Sequence, residues 1–245
     1  MAMAEDSAAD PGAHADEPHD HGDLGERSNK IRAAVLGAND GIVSVAGLVV
    51  GVAGATTSTA AIATAGIAGL VAGALSMGAG EYVSVSSQRD TEAAAVAMET
   101  EELATDPDGE FEELIGLFQK RGLTRETAVA VATELTERDA LAAHSREELN
   151  IEPGEYVNPW AAAVSSLLSF TIGAALPLIA ILVFPAGVRV WITFAAVVIA
   201  LVFTGYTSAK LAGAPIRAAV LRNVVGGMLA MVITFGIGAL MGTQI

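Results

Sequence analysis

The chain of 245 residues has no cysteine. Disulfides, thiolate zinc sites, Fe–S clusters and cysteine-based copper centres are therefore excluded together. Aromatic residues make up only 5%, and 13 basic residues stand against 28 acidic ones, a net charge of −15 that argues against nucleic acid as a partner and for cations. The most informative scarcity is local. Of the 28 acids, 8 precede Arg27 and 18 lie between Gln88 and Asn158, which leaves Asp40 and Glu81 for all the rest.

What remains is apolar. With 52% hydrophobic residues the chain reads as one polytopic membrane unit with a polar insertion. Residues 1–26 are acidic, rich in Ala, Pro, Gly and His, and without hydrophobic period, so a disordered tail is expected. His14, His19 and His21 could hold a metal weakly there, and a solvated tail is the simpler reading. No signal peptide is expected, because the positive residues follow the tail and the apolar run after them is long and lacks a cleavage pattern. That run, Ala33–Ala55, is 23 residues, enough at about 1.5 Å per residue to cross a core of about 30 Å. A second span from about Ala60 to Val83 continues without a stop signal into a polar helix. Three further runs follow the insertion: Trp160–Phe184, Val188–Ala209 and about Ala219–Met241.

Of the 13 basic residues only Arg189 falls between spans three and four. The other 12 share one side, which predicts a cytoplasmic N terminus and insertion and a C terminus outside. Gly pairs four apart (Gly37/Gly41, Gly47/Gly51, Gly69/Gly73, Gly238/Gly242) offer faces for close helix contact, and Pro177 is expected to kink span three.

The insertion has helical punctuation throughout. Its first helix continues span two to Leu103, residues 106–109 (DPDG) read as a turn, a second helix covers Glu110–Arg121 with Phe111, Leu114, Ile115, Leu117 and Phe118 as its apolar stripe, and a third runs from Arg125, capped by Thr124, to about Leu149. Three such helices have little core of their own and are expected to pack on a second copy as well as on one another. Glu99 with Glu102, and Glu110 with Glu113, are each three apart and share a helical face. A solvated acidic face accounts for this spacing. So does chelation, since clustered carboxylates repel unless cations lie between them.

The two membrane acids turn the balance toward metal. An ionised Asp near the middle of a span costs roughly 2.5–3.5 kcal/mol on insertion scales, so Asp40 is retained for a purpose. It lies seven residues into span one, about 10 Å deep, and the returning second span brings Met77 and Glu81, four apart on one face, to similar depth. A thioether beside carboxylates suits a borderline transition metal better than Mg²⁺ or Ca²⁺. Taken singly, Met77 also fits plain packing and Glu81 an interfacial acid at a helix exit.

At these residues the chain resembles the vacuolar iron transporter family. The resemblance is carried by ANDGIVSVAGLVVGV in span one, AGLVAGALSMGAGEYVSVSSQRD in span two, the carboxylate-rich insertion, and RNVVGGMLAMVITFGIGALMG near the end. It implies a five-span homodimer that exports Fe²⁺ from the cytosol in exchange for protons, with its pathway at the dimer interface and a cytoplasmic domain that collects ions. By position it implies Asp40 and Met77 as the intramembrane site, with Glu81 typical of the branch with a GEYVS motif. Glu99, Glu102, Glu110 and Glu113 correspond to the carboxylate pairs, and Glu148 to a ligand on the third helix. Asn29 and Gly69 stand where some members have glutamates. His144 and Ser145 replace a Met and a Glu, so that His144 becomes a possible ligand and Glu147 a substitute for the missing acid.

The expected fold is all-α: a polytopic membrane protein of five transmembrane helices with a three-helix cytoplasmic metal-binding domain between the second and third. The chain divides as 1–26 (tail), 27–88 (spans one and two), 89–158 (metal domain) and 159–245 (spans three to five). The expected activity is export of Fe²⁺, with Mn²⁺ as a second cargo, by proton antiport in a homodimer, in the inner cell membrane if the chain is prokaryotic, with no cofactor and no nucleic acid. A membrane-bound metal-dependent sensor or enzyme is the alternative. No Glu-x-x-His pair, the usual di-iron signature, occurs to support the enzyme.

Overall fold

The computed structural model describes residues 21–154 and 156–242, with side chains from Ala34 onward. Most of the expected tail, including His14 and His19, lies outside the described residues. Seven helices follow one another and no strand occurs among them: α1 His21–Ala55, α2 Thr59–Thr105, α3 Pro107–Lys120, α4 Arg125–Glu147, α5 Pro159–Val183, α6 Arg189–Leu211 and α7 Ile216–Gly242. The backbone of α1 is helical from His21, six residues ahead of the expected start at Arg27. Five of the helices are long and apolar enough to cross a membrane, namely α1 (over Ala34–Ala55), α2, α5, α6 and α7.

The bundle is organised around α1, whose Val45, Ala46, Val49 and Val50 are almost wholly buried among Ile62, Phe170, Ala174, Ile181, Val197, Leu201 and Met231 from the other four membrane helices. Small residues set this position. A methyl at Gly41 would run into the Phe170 carbonyl of α5, one at Gly173 into the Ala38 carbonyl of α1, and one at Gly238 into the Gly51 carbonyl of α1. Backbone therefore meets backbone on two sides of α1, the close approach that the Gly spacing predicts. Gly69 and Gly73 on α2 meet the side chains of Leu48 and Phe170 instead. Pro177 is buried within α5 without ending it.

At the α1–α2 turn Ser58 caps α2 by accepting from the Ala61 amide (3.3 Å). Arg189, 3% exposed, reaches this turn from α6 and donates to the Thr59 hydroxyl (3.1 Å) and the Thr57 carbonyl (3.0 Å). The one basic residue on that side is thus used to close the bundle's end.

As expected, α2 leaves the membrane region unbroken. Its 47 residues span about 70 Å, so one rigid rod carries both Met77 and, about 33 Å further on, Glu99. A tilted ring contact between Tyr82 and Trp160 (centroids 4.7 Å apart, planes at 51°) holds the exit of α2 to the start of α5. Beyond it, α3 and α4 enclose a small core of Leu114, Ile115, Phe118, Ala128, Ala132 and Ala143, with Phe111 and Leu117 at its margin.

Two boundaries differ from expectation. The DPDG stretch is not a free turn, because Asp106 is the N-cap of α3, accepting from the Gly109 amide (3.0 Å), and Pro107 fills the first helical position, where no amide is needed. α4 is also not continuous. Asp139 takes an extended conformation (φ −166°, ψ 98°) and caps the following turn by accepting from the Ala142 amide (2.9 Å), so the last two turns form a separate segment.

Candidate metal centre

That broken segment carries His144 and Glu148. His144 is 1% exposed and its Nδ1 lies 3.0 Å from Glu99 Oε1 on α2 and 3.6 Å from Glu110 Oε2 on α3. Both Nδ1 and Glu99 Oε1 are buried without a directed hydrogen bond, despite their separation of 3.0 Å. Two lone pairs converging in this way suit a shared cation better than they suit each other. Glu99, His144 and Glu148 each bring a donor atom to within 4.8 Å of the others, a spread that one metal ion can bridge.

The charges around this trio are mostly negative, with Lys120 a minor opposing charge at Glu148. Glu99 is raised to about 7, first by burial and then by Glu148, Glu110, Glu102 and Glu113. Glu110 and Glu148 are raised as well, each chiefly by burial, with Glu113 and Glu102 as the next causes. On Glu148 the neighbouring Glu99 carboxyl offsets part of this rise. His144 is lowered by burial, so the imidazole is neutral and can act as a ligand. Of the two expected carboxylate pairs, the structure brings Glu99 (buried) and Glu110 (half-buried) to His144, while Glu102 and Glu113 are exposed.

Arginines hold other acids of this domain. Glu112 is held by Arg125 (2.8 and 2.9 Å). Glu147 lies against Arg121 (2.5 Å); neighbouring residues on a helix point about 100° apart, and Glu148 is the one that brings an oxygen to Glu99 and His144. Among the described residues no Arg or Lys forms an ion pair with Glu99, Glu102, Glu110, Glu113 or Glu148.

In the membrane region Asp40 and Met77 line one groove of about 220 Å³ together with Ser44, Leu48, Gly69, Gly73, Ser76 and Phe170. Ser44 donates to Asp40 Oδ1 (2.7 Å), one helical turn away, and holds the carboxylate toward the groove. The groove is open: Asp40, Ser44 and Ser76 are exposed on the flank of the protomer. Gly69 lets the Leu48 side chain of α1 lie directly against α2 at this groove. Glu81 does not line the groove and stands half-buried one turn beyond Met77. One polar group escaped the sequence reading, namely Asn39, whose Oδ1 accepts from Asn223 Nδ2 (3.2 Å) and the Thr204 hydroxyl (3.3 Å). It ties α1 to α6 and α7 beside Asp40, and an Asn next to an Asp gave the only hint.

Comparison with known proteins adds the relationship. The model of the VIT family matches residues 31–239. A vacuolar iron transporter from Acanthamoeba castellanii is 42% identical over 217 residues, 87% of this chain and 79% of that protein. Vacuolar iron transporter homolog 1 of Oryza sativa subsp. japonica is 39% identical over 88% of this chain and 75% of its own length, and homolog 2.1 of Arabidopsis thaliana 35% identical over 90% and 85%.

Proposed function

The chain belongs to the VIT family, and from that premise we propose that it exports Fe²⁺, and Mn²⁺ as a second cargo, from the cytoplasm in exchange for protons. Family membership makes it a membrane-embedded metal transporter and not an enzyme. The single observation that carries the finer reading is the double load of α2, which holds Glu99 and Glu102 in an arginine-free carboxylate cluster near its C-terminal end and Met77 beside Asp40 in its membrane part.

The cluster concentrates cations. Five carboxylates and a neutral imidazole offer oxygen and nitrogen donors that suit Fe²⁺ or Mn²⁺, and each ion that arrives displaces protons from groups raised toward neutrality. The ion then passes along the α2 side to Asp40. The Asp40 groove supplies one carboxylate, one thioether and two hydroxyls, an incomplete shell for a dehydrated divalent ion. A second copy facing it through the exposed α1–α2 flank doubles the donors and excludes lipid, which is why a homodimer belongs to the reading. Metal and proton then compete for one carboxylate, and protonation from the far side releases the metal. Twelve of 13 basic residues on the cluster's side support a cytoplasmic cluster and N terminus, in the inner cell membrane if the chain is prokaryotic.

The test is flux in sealed proteoliposomes loaded with a metal-sensitive dye. Fe²⁺ uptake should rise when the lumen is acidified and collapse on addition of a protonophore. Uptake indifferent to the pH gradient would remove proton coupling from the reading.

A further inference from the structure

Between the last turns of α6 and the first turns of α7 an open groove of about 770 Å³ runs along the outside of the bundle. Ile199, Val202 and Phe203 form one wall and Val220 and Val224 the other, and the lining is almost wholly apolar. Ile199 and Phe203, 71% and 68% exposed, leave it open sideways to the bilayer. From Ile199 to Tyr206 the groove is about 10 Å long and parallel to the helices, the direction of an acyl chain. Its end at the α6–α7 turn, on the side of the carboxylate domain, is formed by Tyr206 and Arg217.

Charge decides what kind of chain fits. Residues 156–245 contain no Asp or Glu, yet Lys210, Arg217 and Arg222 flank this turn. All three are exposed, and among the described residues none has an ion-pair partner. Arg217 is the second residue of α7, where the positive end of the helix disfavours a cation, so helix stability does not account for it. An anion at this point would meet a guanidinium and the free amides of the helix start, while its apolar part lay in the slot. Bare phosphate leaves the slot unused, and an uncharged lipid leaves Arg217 unpaired.

We propose that this groove binds an anionic glycerophospholipid of the leaflet on the carboxylate-domain side, with its phosphate on Arg217 and its first methylenes along Val202 and Phe203. The open Asp40 flank lies on α1 and α2, so a second copy placed there leaves the groove to lipid. That placement rests on the homodimer proposed above. The groove's own test does not.

The test is lipid retention by the purified full-length protein in mild detergent, read by native mass spectrometry with phosphatidylglycerol and phosphatidylcholine of identical chains. The parent should retain phosphatidylglycerol about fivefold better, the weight of one basic side chain at an anionic headgroup. Arg217→Gln should erase that preference, Arg217→Lys should keep it, and Val202→Trp should lower retention of both lipids with the helical melting transition unchanged. Equal retention by the parent, a preference that survives Arg217→Gln, or displacement by soluble glycerol phosphate alone would overturn the proposal. Because the chain has no native cysteine, Leu221→Cys also gives a clean control. A disulfide between copies at this position in membranes would put a second protomer in the groove and overturn the lipid assignment.

Discussion

At the scale of single residues, crowding like charges in the carboxylate cluster costs folding stability, a cost that the proposed metal would relieve. Glu99 is raised from the ordinary 4.5 to about 7, so between those values the folded chain holds a proton that the unfolded chain has lost. Stability from this group is full below about pH 4.5 and falls as pH rises through about 7. Metal-free protein should therefore melt lower at pH 8 than at pH 5, and saturating Mn²⁺ should reverse the order, because the ion neutralises what the proton neutralised before. Glu99→Gln should raise the metal-free melting point at pH 8 and weaken metal binding by more than the roughly 10–100-fold that outer-shell changes cost. Melting that does not depend on pH, with or without metal, would show the cluster to be an ordinary solvated surface.

At the scale of elements, the break in α4 is what delivers His144 and Glu148 to α2. Asp139 is the cap that makes the short segment after it helical, and loss of such a cap costs about 1 kcal/mol. Asp139→Ala should loosen the metal centre and lower its affinity, while Asp139→Asn, an equally good cap, should leave it intact. Equal affinity in both variants by calorimetry would mean that the break does not position the ligands. This element also shows where sequence reading stops. The stripe of α3, the unbroken α2 and the two glutamate pairs were legible, because three- and four-residue spacing directly encodes a helical face. The break was not, since the residues around Asp139 are good helix formers and one Asp is a weak signal. Spacing alone did not separate Glu148, given by the resemblance as a ligand, from Glu147, its possible substitute, and the Arg121 ion pair with Glu147 is a tertiary contact that spacing cannot show. DPDG carried both a turn signature and a cap followed by Pro, and the tertiary packing of α3 selected the second.

At the scale of the whole molecule, the five spans, their order and α1's small-residue faces could be read from the residues, whereas the face proposed for a second copy came only from the family resemblance, because spacing does not say which exposed apolar surface meets lipid. Gly80 offers a way to ask. A side chain there would meet nothing within 4 Å inside the protomer, and it stands near Met77 on the open flank of α2. Gly80→Leu should fold normally yet separate the dimer, read as halved mass in detergent and loss of crosslinking in membranes. A Gly80→Leu dimer as tight as the parent would move the interface elsewhere. The central claim remains that one carboxylate in the membrane serves both metal and proton. Its most direct measurement is proton-driven Fe²⁺ flux through Asp40→Asn in proteoliposomes, beside metal binding by the same preparation. The account predicts that flux is lost while the carboxylate cluster still binds metal; flux at the parent's rate would contradict it.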